Sequence, residues 1–339
     1  MMARVQTFVT SLCDATRRAC VLPFVLAWLA ACGLGVGRAN SGTLFPVVVD
    51  GKWGYVDRNG KMVANPQFDE AADFSGGLGR VKLDHRYGFV DGGGKLAIAA
   101  QFDEAGDFSE GMAWIRIDKR GFIDTSGRIV INPQFERASS FHDGLASVRI
   151  GDRWGYVDRN GKVVVSPQFD EAGDYSDRIA AVEVGKRWGY IDHDGKMLVN
   201  PQFERAGAFH QGLAPVRVDD RWGYVDRSGK LVVSPQFKEA FPFSEGLARV
   251  RVGDNWGYVD RSGTLAINPQ FDKAGDFHDS LAFATVHDRF GYVGKSGTFA
   301  INPQFDEALD FSQGLARVKV DRRWGYVDHG GHFVYNPTK

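Results

Sequence analysis

Three histidines, His142, His210 and His278, stand 68 residues apart, each directly after an aromatic residue. The same three copies of a recurring segment carry Arg137, Arg205 and Lys273 where the other copies carry Glu70, Glu104, Glu171, Glu239 and Glu307. Those other copies also replace the histidine with Ser75, Ser109, Ser176, Ser244 or Ser312. Imidazole changes charge near neutral pH, so histidines grouped with basic side chains make a candidate contact stripe for an anion, bound more tightly as pH falls. Two explanations of the alternation stand open. Either alternate copies point the same way and give a basic and an acidic face, or a two-copy block was duplicated and kept its differences.

A catalytic site needs a few unlike groups convergent in one pocket. The chain has no cysteine after Cys32, no His-Glu-x-x-His, no phosphate-cradling glycine loop and no Gly-x-Ser-x-Gly elbow. Acidic pairs such as Asp69-Glu70 and Asp103-Glu104 recur in copy after copy, whereas a glycosidase sets two carboxylates apart across a cleft. Asp192-His193-Asp194-Gly195 opens like a calcium loop but lacks the late glutamate. The expectation is a protein that is not an enzyme, with no metal and no cofactor. Its 41 basic and 42 acidic residues leave a net charge of -1, which sets aside nucleic acid and a polybasic membrane patch.

The elements that position these side chains follow from a longer pattern. A glycine after an aromatic ring recurs at Gly54, Gly88, Gly155, Gly189, Gly223, Gly257, Gly291 and Gly325, and Gly121 follows Arg120 in the same register. The interval is 34 residues, once 33. Within one copy, Leu213 to Val218 alternates as a strand, Asp219-Asp220 turns it, and a second strand runs through Trp222, Tyr224 and Val225. Asp226-Arg227-Ser228-Gly229 then turns into a third strand, Lys230 to Val233. Each copy is thus predicted to be a three-stranded antiparallel meander, followed by a Pro-Gln-Phe connection whose rings pin it to the core.

Glycine on a strand offers no Cβ, so Gly54, Gly155, Gly223 and their equivalents predict a ring or backbone packed directly over them. Trp53, Trp154, Trp188, Trp222, Trp256 and Trp324 read as packing between copies, with an exposed sugar-stacking ladder as the alternative.

These residues resemble the WG repeat family, also called KWG repeats. The match is Gly51-Lys52-Trp53-Gly54-Tyr55-Val56-Asp57, then Gly60, then Phe74 to Leu78, and it recurs over roughly residues 43 to 337. The resemblance implies a β-rich bacterial module, often exported, that acts in interaction or ligand binding and carries no catalytic motif. Departures are Arg120, Tyr87 and Phe290 at the tryptophan position.

The expected architecture is all-β: nine three-stranded repeats over residues 43–339, eight full and a ninth terminal meander, stacked as an open curved solenoid or superhelix. A closed propeller-like ring is the alternative. Openness is favoured because the first copy begins with a first strand and the last ends with a third, leaving no split unit to lock a ring.

Residues 1–39 read as an export signal with a short tether. Arg4 and Arg17-Arg18 precede an apolar stretch from Val21 to Ala31. Leu29-Ala30-Ala31-Cys32 resembles a lipobox, which makes Cys32 a lipidation candidate and allows membrane attachment through the N-terminus. Cleavage before Asn40 is the competing reading and gives a soluble secreted chain. The functional expectation is an extracytoplasmic binding or scaffolding array that engages a protein or a cell-envelope polysaccharide through repeated loops. Glycan binding by exposed aromatics is the alternative.

Overall fold

The Asp-x-x-Gly turns close the same way along the chain. Asp226 Oδ1 accepts the backbone N–H of Ser228 at 2.9 Å and of Lys230 at 3.1 Å, while Gly229 takes a φ of +80°. The carboxylate replaces backbone partners that the tight turn leaves unpaired. Asp192 bonds Asp194 and Lys196 in the same manner, so the calcium-like stretch is a backbone turn.

A computed structural model describes residues 42–336. Residues 1–39, read from sequence as an export signal, and the lipidation candidate Cys32 lie outside the described residues. Among those described, the chain forms nine antiparallel sheets, or blades. Blade 1 spans 45–68 with three strands, and blades 2 to 9 begin at residues 70, 104, 137, 171, 205, 239, 273 and 307 with four strands each.

The fourth strand corrects the three-stranded reading. In blade 5, Glu171–Ala172 pairs with Ile179–Val184, which pairs with Arg187–Asp192, which pairs with Met197–Phe203. The segment taken as a connection is therefore the first strand of the next blade. Two paired residues are too few to show a period in the sequence. A blade and a sequence repeat are consequently out of phase.

The strand that ends in Pro-Gln-Phe bulges over the glycine. Trp53 stands opposite Phe68 but Tyr55 opposite Ala64, so the partner strand carries two extra residues there. A Cβ on Gly54 would lie 2.5 Å from Ala64 O and 2.8 Å from Pro66 N. The glutamines of this outer strand, Gln67 through Gln304, are exposed.

The core sits between blades. Tyr190, Val199 and Phe203 of blade 5 pack with Phe209, Val216 and Val225 of blade 6, all buried. Each junction has an equivalent cluster, and the ninth joins Leu315 and Tyr326 of blade 9 to Phe45, Val47 and Val56 of blade 1. Buried tyrosines stitch the same junctions: Tyr258 donates to Gly275 O at 2.7 Å, and Tyr326 donates to Pro46 O at 2.9 Å. The array is therefore a closed nine-bladed β-propeller, which corrects the open superhelix. Closure needs no split blade: at the last junction Phe45 packs against Tyr326, ring centroids 5.4 Å apart, where the other junctions use the aromatic in or after the first strand.

Candidate binding site on the inner wall

The short first strands and the turns after them line the inner wall, where side chains of neighbouring blades meet. On the second strand of blades 2 to 9, the residue paired with the tyrosine or phenylalanine after the motif glycine lies diagonally beside the residue before that glycine in its own blade. In five blades that residue is large and covers the ring. Arg80 lies 5.4 Å from the Tyr87 centroid, Arg249 5.6 Å from Trp256, and Arg317 4.9 Å from Trp324. Trp114 receives Arg120 at 4.1 Å, and Phe283 packs on Phe290 at 5.7 Å. Arg80 and Arg249 also reach a carboxylate of the next blade, Asp107 at 2.8 Å and Asp276 at 2.9 Å.

Blades 4, 5 and 6 have Ser147, Ala181 and Pro215 at this position. Two neighbouring recesses follow. Between blades 5 and 6, Gly173, Ala181, Ala206 and Ala208 leave a hollow of about 400 Å³ with Trp188 at its back. Its rim carries His142, Asp174 and His210. The Trp188 indole N–H is buried without a hydrogen-bond partner, an unmet donor that costs stability unless something accepts from it. Between blades 6 and 7, Pro215, Trp222, Phe241 and Pro242 line a more apolar hollow of about 240 Å³. An aromatic wall with a few convergent polar groups is the usual make-up of a ligand site.

The profile of the WG-containing repeat matches residues 53–84, 87–120, 121–154, 154–188, 188–222, 222–256, 256–289 and 290–324. The chain belongs to the WG-containing repeat family. Each matched WG repeat runs from the third strand of one blade to the second strand of the next. No curated protein sequence matches the chain at a significant level. Among solved structures, the chain is similar to a eukaryotic initiation factor, at a TM-score of 0.61 and 12% identity over 86% of this chain and 95% of that one. It also aligns with the dihydro-heme d1 dehydrogenase NirN in complex with DHE, at a TM-score of 0.46 and 12% identity, covering 77% and 73%. Hsv2p of Kluyveromyces lactis aligns at 0.43 and 8% identity, covering 66% and 91%. At these identities the likeness to the initiation factor concerns fold alone.

The WG-repeat ring separates the residues of the histidine stripe. Arg137 pairs with Arg149 near one hairpin end, whereas His142 pairs with Leu145, itself opposite Asp158 at the other end. Arg205 with His210 and Lys273 with His278 repeat this. The two sets therefore occupy opposite faces of the ring and do not form one stripe. The histidines also differ among themselves: His142 lies 3.7 Å from Asp174 and His278 3.9 Å from Asp310, but Pro242 stands where His210 would meet an acid. Serine in the same place has another role, since Ser75, Ser109 and Ser244 donate to carbonyls of Phe108, Phe141 and Phe277 in the next blade.

Trp53, Trp154, Trp188, Trp222 and Trp256 are half-buried at the edge of the junction cores, and Trp324 is half-buried beneath Arg317. Backbone of the outer strand covers Gly155 and Gly223 as it does Gly54. Sequence reasoning missed Ala181 and Gly173. The available signal was the second-strand position paired with the aromatic after the motif glycine, where small residues interrupt a series of arginines and aromatics.

Proposed function

We propose that this WG-repeat ring is a non-enzymatic binding or scaffolding protein of the cell envelope, and that its partner, a protein or an envelope polymer, docks on the inner wall across blades 5 and 6. The observation that carries this reading is the hollow over Trp188, where the ring's own side chains leave an aromatic face uncovered. Placement outside the cytoplasm rests on the sequence: Arg17-Arg18, the apolar run that follows and the lipobox-like Leu29-Ala30-Ala31-Cys32. The repeated outer loops, with most of their carboxylates and N–H groups used in turns, offer less to a ligand than this hollow.

The test uses Ala181→Arg, which copies into blade 5 the residue found at this position in blades 2, 7 and 9. Crosslinking in intact envelopes is compared for the unaltered protein, Ala181→Arg and Cys32→Ser. The expected result is a discrete partner lost in Ala181→Arg with the ring still folded, and loss of envelope association in Cys32→Ser. A partner captured equally well by Ala181→Arg would refute docking at the hollow.

A further inference from the structure

Most blades provide a cation beside the aromatic of the WG pair. In blade 2, Lys82 bonds Glu70 at 2.8 Å and lies 5.2 Å from the Tyr87 centroid. In blade 9, Lys319 bonds Glu307 at 2.7 Å and lies 5.4 Å from Trp324. Arg251 bonds Glu239 at 2.8 Å and stands opposite Trp256. Arg116 bonds Glu104 at 3.1 Å in blade 3. Blade 8 reverses the arrangement, with Lys273 on the first strand 5.7 Å from the Phe290 ring. Blades 4 and 6 have arginine on both strands, Arg137 opposite Arg149 and Arg205 opposite Arg217.

Blade 5 alone among the four-stranded blades has no cation at this pair. Glu171 stands opposite Glu183, and Glu183 is the cross-strand neighbour of Trp188. Like charges directly opposite repel. Neither carboxylate has a hydrogen bond or ion pair among the described residues. The second source of a cation, the arginine that covers the ring in blades 2, 7 and 9, is Ala181 here. Blade 5 therefore keeps the carboxylate and the ring of the motif and doubles the negative charge, while the hollow of about 400 Å³ adjoins the motif through Trp188 and has Asp174, not the two glutamates, in its lining.

We infer that a lysine or arginine side chain from a polypeptide partner enters through this hollow and reaches past its lining, along the face of Trp188, to Glu171 and Glu183 on the strands beside that ring. The inference rests on the reading of the inner wall as a docking site and adds the chemistry of what docks. The ring itself is the template: the same carboxylate and aromatic hold Lys82 in blade 2 and Lys319 in blade 9. Gly173, Ala181, Ala206 and Ala208 give the methylene stem an apolar bed, the arrangement long basic side chains favour. Aromatic faces attract cations, most strongly where water is excluded.

The test follows the Trp188 indole N–H by NMR in the full chain, with its resonance assigned through Trp188→Phe. α-N-Acetyl-argininamide (argininamide hereafter) should move the resonance in a saturable way, and α-N-acetyl-citrullinamide (citrullinamide hereafter), close in shape but with an uncharged side chain, should not. Glu183→Lys, which installs the cation found in blades 2 and 9, should weaken argininamide binding at least about tenfold, a loss of roughly 1.4 kcal/mol. The double variant Glu171→Gln, Glu183→Gln checks the same point without adding a cation. Equal response to citrullinamide, unchanged affinity in Glu183→Lys, or a resonance moved by chitotriose and not by argininamide would each overturn the inference. If argininamide has no effect while Ala181→Arg still loses the crosslinked partner, docking at the hollow survives and only the basic side chain is refuted.

Discussion

Tyr326→Phe separates a closed ring from an open stack. The Tyr326 hydroxyl donates to Pro46 O at 2.9 Å, and the two residues are 280 positions apart in sequence. In an open array they would sit at opposite ends, and losing the hydroxyl would cost nothing through this contact. In the ring, the contact takes the place of the buried bond from Tyr258 to Gly275 O at 2.7 Å; blade 1 has no first strand, so Tyr326 reaches Pro46, which stands at the register position of Phe283. A buried hydrogen bond contributes about 1 kcal/mol net, rising towards about 3 kcal/mol when the carbonyl left behind finds no other donor. Tyr326→Phe and Tyr258→Phe should therefore each cost about 1–3 kcal/mol, in a ratio near one. Urea titration followed by tryptophan fluorescence measures both, with the double variant as a check that the two losses add. If Tyr326→Phe costs less than about a third of Tyr258→Phe, the last junction is not equivalent to the others and the closure argument fails.

Gly257→Ala would bring a Cβ to 2.6 Å from Ile267 O and 2.7 Å from Pro269 N, so the bulged strand must move and stability should fall by about 3 kcal/mol or more. Gly144→Ala, in a turn with nothing within 4 Å, meets only its positive φ and should cost about 1–2 kcal/mol; thermal melts that rank the two the other way would refute the bulge argument. Alkaline pH gives a further check. Burial raises Tyr55, Tyr156, Tyr175, Tyr190, Tyr224, Tyr258, Tyr292 and Tyr326 above the ordinary value of 10.0. The folded state then holds protons that the unfolded state releases, so stability should be flat below about pH 9 and fall as pH rises past 10. Phenolate absorbance should show these tyrosines ionising only as the ring unfolds, and normal titration in the folded state would contradict their burial.

The sequence carried three strands of each blade because Asp-x-x-Gly turns and alternating apolar residues leave a local record. It did not carry the first strand, since Glu171 and Ala172 form two paired residues inside what reads as a connection. Closure was equally silent: nothing local distinguishes Tyr326, which bonds the first blade, from Tyr258, which bonds its neighbour. The histidine alternation was visible, yet grouping His142 with Arg137 ignored the length of chain that carries them to opposite faces. Ala181 was invisible for a different reason. A small residue on a strand has meaning only beside Trp188 and the blade that follows, and that register comes from the fold.

The offset between blade and sequence repeat has a consequence for how such a chain changes over generations. Each 34-residue unit contains the outer half of one blade and the inner half of the next, so it already includes a complete junction. Unequal crossover between any two copies in the gene would add or remove one blade together with one junction of the same kind. The product keeps its way of joining ends, because the closing contact joins the last blade to the three-stranded first blade and needs no exchanged strand. Such a ring can therefore vary its circumference, and with it the width of its opening, without inventing a new seal.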